Sequence, residues 1–190
     1  MPGNAPVHAA ERDQLLAFLT QQREAVRNSV YGLTEEQARA TPSASSLSVG
    51  GLIKHLAYVE RNWLGLILQT PSGDDLYMDT FALKDNDTIA TVLAGYDEVA
   101  RDTNRTLTDI DLDQPVPVPK GVPWHPADLE FWTVRWVLLH LIEETARHAG
   151  HADIVRETVD GATAMPLMAA AEGWPASDWL KPWQPRDEGA

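Results

Sequence analysis

Apolar positions recur along most of this chain with the period of amphipathic helices, in four long segments. The first runs from about Ala9 to Val30 and stops before Gly32, a residue suited to a helix C-terminus. The second opens at Ser48, whose hydroxyl can accept from the first free amides of VGGLIKHLAYVERNWLGLIL, and Pro71 and Gly73 end it. The third spans about Asp87 to Thr108, with Asp87 as the expected N-cap. The fourth runs from about Asp128 to Asp160, stops at Gly161, and is expected to break or kink near its start. A short helix is predicted from Thr34, with Glu36 and Gln37 in its first turn and a break at Pro42.

Between the third and fourth segments, DIDLDQPVPVPKGVPWHPADLE carries five prolines between positions 115 and 126. No regular element is expected there, and a long loop of this kind in a compact domain is often functional. The tail has room for a short turn around Leu167 to Glu172, and its last seven residues are expected to be loose. No strand and no internal repeat is expected. The pattern predicts one all-α domain over residues 1–190, a four-helix bundle with its core from about 9 to 161 and a tail over 162–190.

Composition narrows the chemistry. A chain of 190 residues, 44% of them hydrophobic, can bury a core without covalent staples. It has no cysteine, which excludes disulfides, thiolate metal sites and a cysteine nucleophile of its own. A formal net charge of −13 and the lack of a Lys/Arg stripe argue against nucleic acid as a partner and against a basic membrane-surface helix. No apolar run reaches membrane-spanning length, and MPGNAPVHAAERDQ lacks the layout of a signal peptide, so the expected location is the cytoplasm. Seven tryptophans bunch toward the second half. Packing is the first explanation for them, and the lining of a ligand cleft is the second.

Four of the six histidines fall in the second and fourth helical segments. With His140 set to zero and about 100° per residue, Glu144 lies near 40°, His148 near 80° and His151 near 20°. The apolar residues of that segment spread over roughly 60° to 200°, so Glu144 and His148 point into the edge of the core face. His55 borders the apolar face of its own helix. Imidazoles and a carboxylate aimed into a core are costly unless paired or bound to a metal. Glu144 and His148, four residues apart, lie one turn apart on the same side, which suits two adjacent ligands of one ion, with His55 as a third. Two histidines and a carboxylate form a ligand set of catalytic zinc and of other divalent metals. The same spacing also fits a plain Glu144–His148 side-chain pair, with His55 a satisfied histidine at the core edge.

The segment LSVGGLIKHLAYVERNW resembles the second helix of the DinB-like superfamily, where a metal-binding histidine sits in this context. VRWVLLHLIEETARHAGHADIVRETVDG is similar to the superfamily's other motif: a ligand, three residues, then a histidine followed by a small pair and a polar residue. The first ligand here is Glu144, as in the mycothiol-dependent maleylpyruvate isomerase branch. His151 occupies the polar position, and AAEGWPASDWLKPW resembles the tail of an actinobacterial-type subgroup.

The resemblance implies a four-helix bundle holding a divalent metal through His55, Glu144 and His148. Zinc is the first expectation, with nickel, manganese and iron as alternatives. It also implies an enzyme that uses a low-molecular-weight thiol such as mycothiol for S-transfer or isomerisation of an electrophilic substrate, with His151 as the candidate catalytic group. His140 and Glu60 are further candidates for supporting a ligand or moving a proton, Arg147 reads as a surface charge, and Trp124 and His125 are candidates to close over a ligand. A bundle that binds metal or a small ligand without turnover, and a metal-dependent hydrolase, stand as alternatives. A homodimer is left open.

Overall fold

In a computed structural model of the chain, residues 3–70 and 77–185 are described. The expected stop at Pro71 and Gly73 lies outside them, as do residues 186–190 of the tail. The four long helices are α1 (Glu11–Ser29), α3 (Val49–Ile67), α4 (Ile89–Leu107) and α5 (Val134–Asp160), with short helices α2 (Glu35–Arg39) and α6 (Ala164–Ala171). A single 3-10 turn, Tyr77–Phe81, precedes α4.

The caps follow from side-chain chemistry. Ser48 Oγ accepts from the Gly51 amide, and Thr34 and Gln37 close a reciprocal capping box on α2. Gly161 ends α5 in the left-handed region at φ 77°, with its amide bonded to the Glu157 carbonyl. Asp87 is not the cap of α4. Thr88 takes that place and accepts from the Thr91 amide, because the Asp87 carboxylate is engaged by Lys54 Nζ at 2.6 Å and the Lys84 amide at 2.8 Å.

The proline-rich segment holds structure that the sequence reading did not expect. Strand β1 (Pro115–Pro117) pairs antiparallel with β2 (Phe131–Thr133), Val116 opposite Trp132. Prolines cannot donate to a ladder, but here they flank Val116 at alternate positions of a two-stranded edge, which tolerates them. Val116 and Trp132 face inward and are buried. Pairing of residues 131–133 also explains why α5 begins at Val134 rather than near Asp128, with Thr133 Oγ1 accepting from the Trp136 amide.

Helix α1 packs on α5, α3 on α4, and α3 meets α5 across the seam between those two pairs. Arg27 bonded to Asp97, and Arg23 donating to Asn104 Oδ1, close the remaining side between α1 and α4. Two apolar clusters fill the interior. One gathers Leu19, Val59, Trp63, Leu107, Val116, Trp132 and Leu138; the other gathers Val26, Ile53, Leu56, Tyr96, Ala149 and Val155. Buried polar side chains lie between them in chain order on three of the long helices, Arg23 on α1, Thr103 on α4 and Thr145 on α5, and on α3 Glu60 follows Val59 at the edge of the first cluster. Arg23 donates to both oxygens of Glu60 inside the bundle, from Nε at 3.0 Å and Nη2 at 2.5 Å.

At the other end, Trp183 anchors the tail. Its ring lies 4.9 Å from the Arg156 guanidinium, and Arg156, fully buried, donates to the Ser29 and Tyr31 carbonyls. No helix among the described residues is long and apolar enough to cross a membrane.

Candidate metal centre

Two glycines at the start of α3 prepare the site. A Cβ on Gly51 would lie 2.0 Å from the Phe81 carbonyl oxygen, so only glycine lets the 77–81 turn seat against the helix. That turn delivers two side chains to His55, one turn further along α3. Thr80 Oγ1 lies 2.8 Å from His55 Nδ1, and the Phe81 ring stacks on the imidazole at 3.7 Å between centroids.

The opposite edge of the His55 ring faces α5. His55 Nε2 lies 3.7 Å from Glu144 Oε1, and His148 Nε2 lies 3.3 Å from the same oxygen. The ligand atoms of His55, Glu144 and His148 all lie within 4.8 Å of one another, a cluster able to hold a metal ion. With its proton on Nδ1, His55 donates to Thr80 Oγ1 and turns an Nε2 lone pair toward the centre. His148 is arranged alike: its Nδ1 lies 3.3 Å from His151 Nδ1, and a proton on His148 Nδ1, donated to His151, frees Nε2.

The electrostatics agree. The His148 ring and then the His55 ring, each turning an edge on Glu144 Oε1, hold its carboxyl far below the usual carboxylate range. Burial pushes the His55 imidazole down, against the opposing pull of Glu144. At neutral pH the site therefore presents a carboxylate and a neutral His55, the states a cation requires. Two imidazole nitrogens and one carboxylate oxygen, converging from two rigid helices, fit a borderline divalent ion and leave coordination positions for other ligands.

The remaining sequence candidates fall around this triad. His151 touches His148 rather than joining the cluster. His140 also lies outside it, stacked on Trp136, with Nδ1 3.5 Å from Glu143 Oε2. Glu60 belongs to the Arg23 pair, and Arg147 to an exposed pair with Glu143 at 2.6 Å. His125 packs on Trp132 and, through Nδ1, lies 3.3 Å from the Pro119 carbonyl oxygen, while Trp124 beside it is 74% exposed. Thr80 and Phe81 escaped the sequence reading because they lie in a turn without periodicity. The Gly50–Gly51 pair was the available signal, since glycines on a buried helix face mark another backbone close by.

A family model described as mycothiol-S-transferase matches residues 14–161, a span that includes all three members of the triad. No curated protein matches the chain.

Proposed function

The chain belongs to the mycothiol-S-transferase family of the DinB-like superfamily, and from that premise we propose that it is a metal-dependent enzyme that transfers a small thiol, of the mycothiol type, to an electrophilic carbon. The observation that carries this reading is the His55–Glu144–His148 triad, whose three donors converge within 4.8 Å. A divalent ion held there by His55, Glu144 and His148, zinc first among those that accept such ligands, would supply the Lewis acidity that favours a thiolate at neutral pH. In the overall reaction a carbon–sulfur bond forms, the bond from that carbon to its leaving group breaks, the leaving group keeps the electron pair, and the thiol proton passes to water. Isomerisation is the variant in which the thiol adds and later departs.

The protein's own contributions are positioning and exclusion. Thr80 and Phe81 fix the His55 ring by its Nδ1 and its face. His151 fixes His148 by its Nδ1, a positioning role that replaces direct contact with the reacting atoms. The absence of cysteine leaves the thiol to come from outside. Elemental analysis of the purified protein, then thiol consumption with mycothiol and an alkylating electrophile, tests the proposal. One metal per chain and metal-dependent thiol loss are expected. Metal without thiol loss, together with ester hydrolysis in the absence of thiol, would favour a hydrolase instead.

A further inference from the structure

One ridge of α5 carries more than two of the triad. Positions 132, 136, 140, 144 and 148 recur every four residues along α5 and the strand leading into it, so neighbours within the helix are about 6 Å apart along its axis. Trp132 and Trp136 stack at 4.9 Å with planes 7° apart, and Trp136 and His140 stack at 5.2 Å with planes 14° apart. Trp63, two turns beyond His55 on α3, meets Trp132 at 5.0 Å and His140 at 4.8 Å, both nearly edge-on. The next residue on the ridge is Glu144. A column of three stacked rings thus ends at the metal triad.

Core packing accounts for Trp63 and Trp132, which are buried. It does not account for Trp136, which is 40% exposed, or for the half-buried His140, which faces Glu143 Oε2 at 3.5 Å. Trp132 and His140 cover the faces of Trp136 and Trp63 meets it at 5.6 Å, so the exposure of the ring is left to its remaining edge. Ring edges are electropositive and ring faces electronegative, so an exposed row of edges attracts the face of a planar molecule. The neighbouring cations are committed elsewhere. Arg135 bonds Glu11 and Asp113, Lys120 donates to the Ala127 and Leu129 carbonyls, and Arg147 bonds Glu143. Arg61 lines a groove on the α4 side with Lys54 and Tyr58. Among these groups none offers a counter-charge to an anionic substrate at the column.

We propose that the open rim formed by Trp136 and His140 is the subsite for the electrophile, and that this electrophile is planar, uncharged, and aromatic or conjugated. The inference rests on the thiol-transfer reading and adds its substrate class. The flat part of the molecule lies across the two ring edges, one to two turns from Glu144, and its reactive carbon reaches the triad.

The test is calorimetric titration of metal-loaded full-length protein with anisole, an unreactive planar probe with an electron-rich face, in the wild type, Trp136→Ala and Trp136→Phe. The Kd should rise about tenfold in the alanine variant and recover largely with phenylalanine, at unchanged metal and helix content. With thiol present, the KM for benzyl chloride should rise in Trp136→Ala, while that for the small aliphatic iodoacetamide should not. Equal Kd values in wild type and Trp136→Ala, tighter binding of the anionic methoxybenzoate, or a stable dimer that buries Trp136 would overturn the subsite. If the wild type transfers thiol to no electrophile, the transferase reading fails on its own, and the binding arm still decides the subsite.

Discussion

His151 presents its Nδ1 to the Nδ1 of His148 at 3.3 Å, on the edge of the His148 ring away from Glu144. Such a partner sets which nitrogen of His148 is free. Replacing His151 with alanine should weaken metal binding about 10- to 100-fold, the usual effect of removing a partner of a ligating histidine. Glu144→Ala and His148→Ala should lose the metal altogether. Chelator competition measures all three. Full metal affinity in His151→Ala, with turnover lost, would mean that His151 acts on the substrate instead.

The close approach of Gly51 to Phe81 makes a second prediction. Gly51→Ala places a methyl 2.0 Å from the Phe81 carbonyl, so the turn must move and Thr80 leaves His55. Both melting temperature and metal affinity should fall. Gly95→Ala, inside α4 with nothing within 4 Å of its added Cβ, should instead stabilise the fold by about 0.5–1 kcal/mol. Identical melting curves for the two variants would contradict the assignment.

Acid should destabilise the metal-free protein. Burial holds the His55 imidazole low, and the His148 and His55 rings turned on it hold the Glu144 carboxyl low, so both bind protons less readily folded than unfolded. Their contribution is complete above the unfolded imidazole value of about 6.5, shrinks as pH falls through it, and shrinks again below the free carboxylate value of about 4.3. Metal occupancy should decline in the same direction, because protons compete for the same donors. Thermal melts from neutral to acid pH check this, and a melting temperature that rises on acidification would refute it.

The Arg23–Glu60 pair belongs to stability rather than to the metal. Glu60→Leu strands a buried guanidinium and should cost about 3–5 kcal/mol, with the folded fraction still binding one metal. The double variant Arg23→Met with Glu60→Leu should recover much of the loss. Urea melts of the two variants separate the outcomes.

The periodic elements were readable because they obey a local rule. Ser48 as a cap, Gly161 as a stop, and the sector shared by Glu144 and His148 all follow from positions within a few turns of one another. What escaped depends on partners distant in sequence. Val116 between two prolines reads as loop until Trp132 is placed opposite it. Asp87 reads as a cap until Lys54 claims its carboxylate. Glu60 reads as a proton carrier until Arg23 on another helix is seen to hold both its oxygens. The Trp132–Trp136–His140 column follows plain four-residue spacing, but that spacing alone does not tell ring stacking from ordinary packing.

The triad straddles the seam between the α3–α4 pair and the α1–α5 pair, with His55 on one side and Glu144 and His148 on the other. An ion bound there would act as a rivet between two halves that otherwise meet through side-chain packing and the contacts of Arg23 and Arg27 with Glu60, Asn104 and Asp97. Breathing of the bundle along the seam and escape of the ion are then the same event. Amide exchange on the facing turns of α3 and α5 becomes a clock for metal dissociation, and a mutation that wedges the halves apart far from the site drains the metal without touching a ligand.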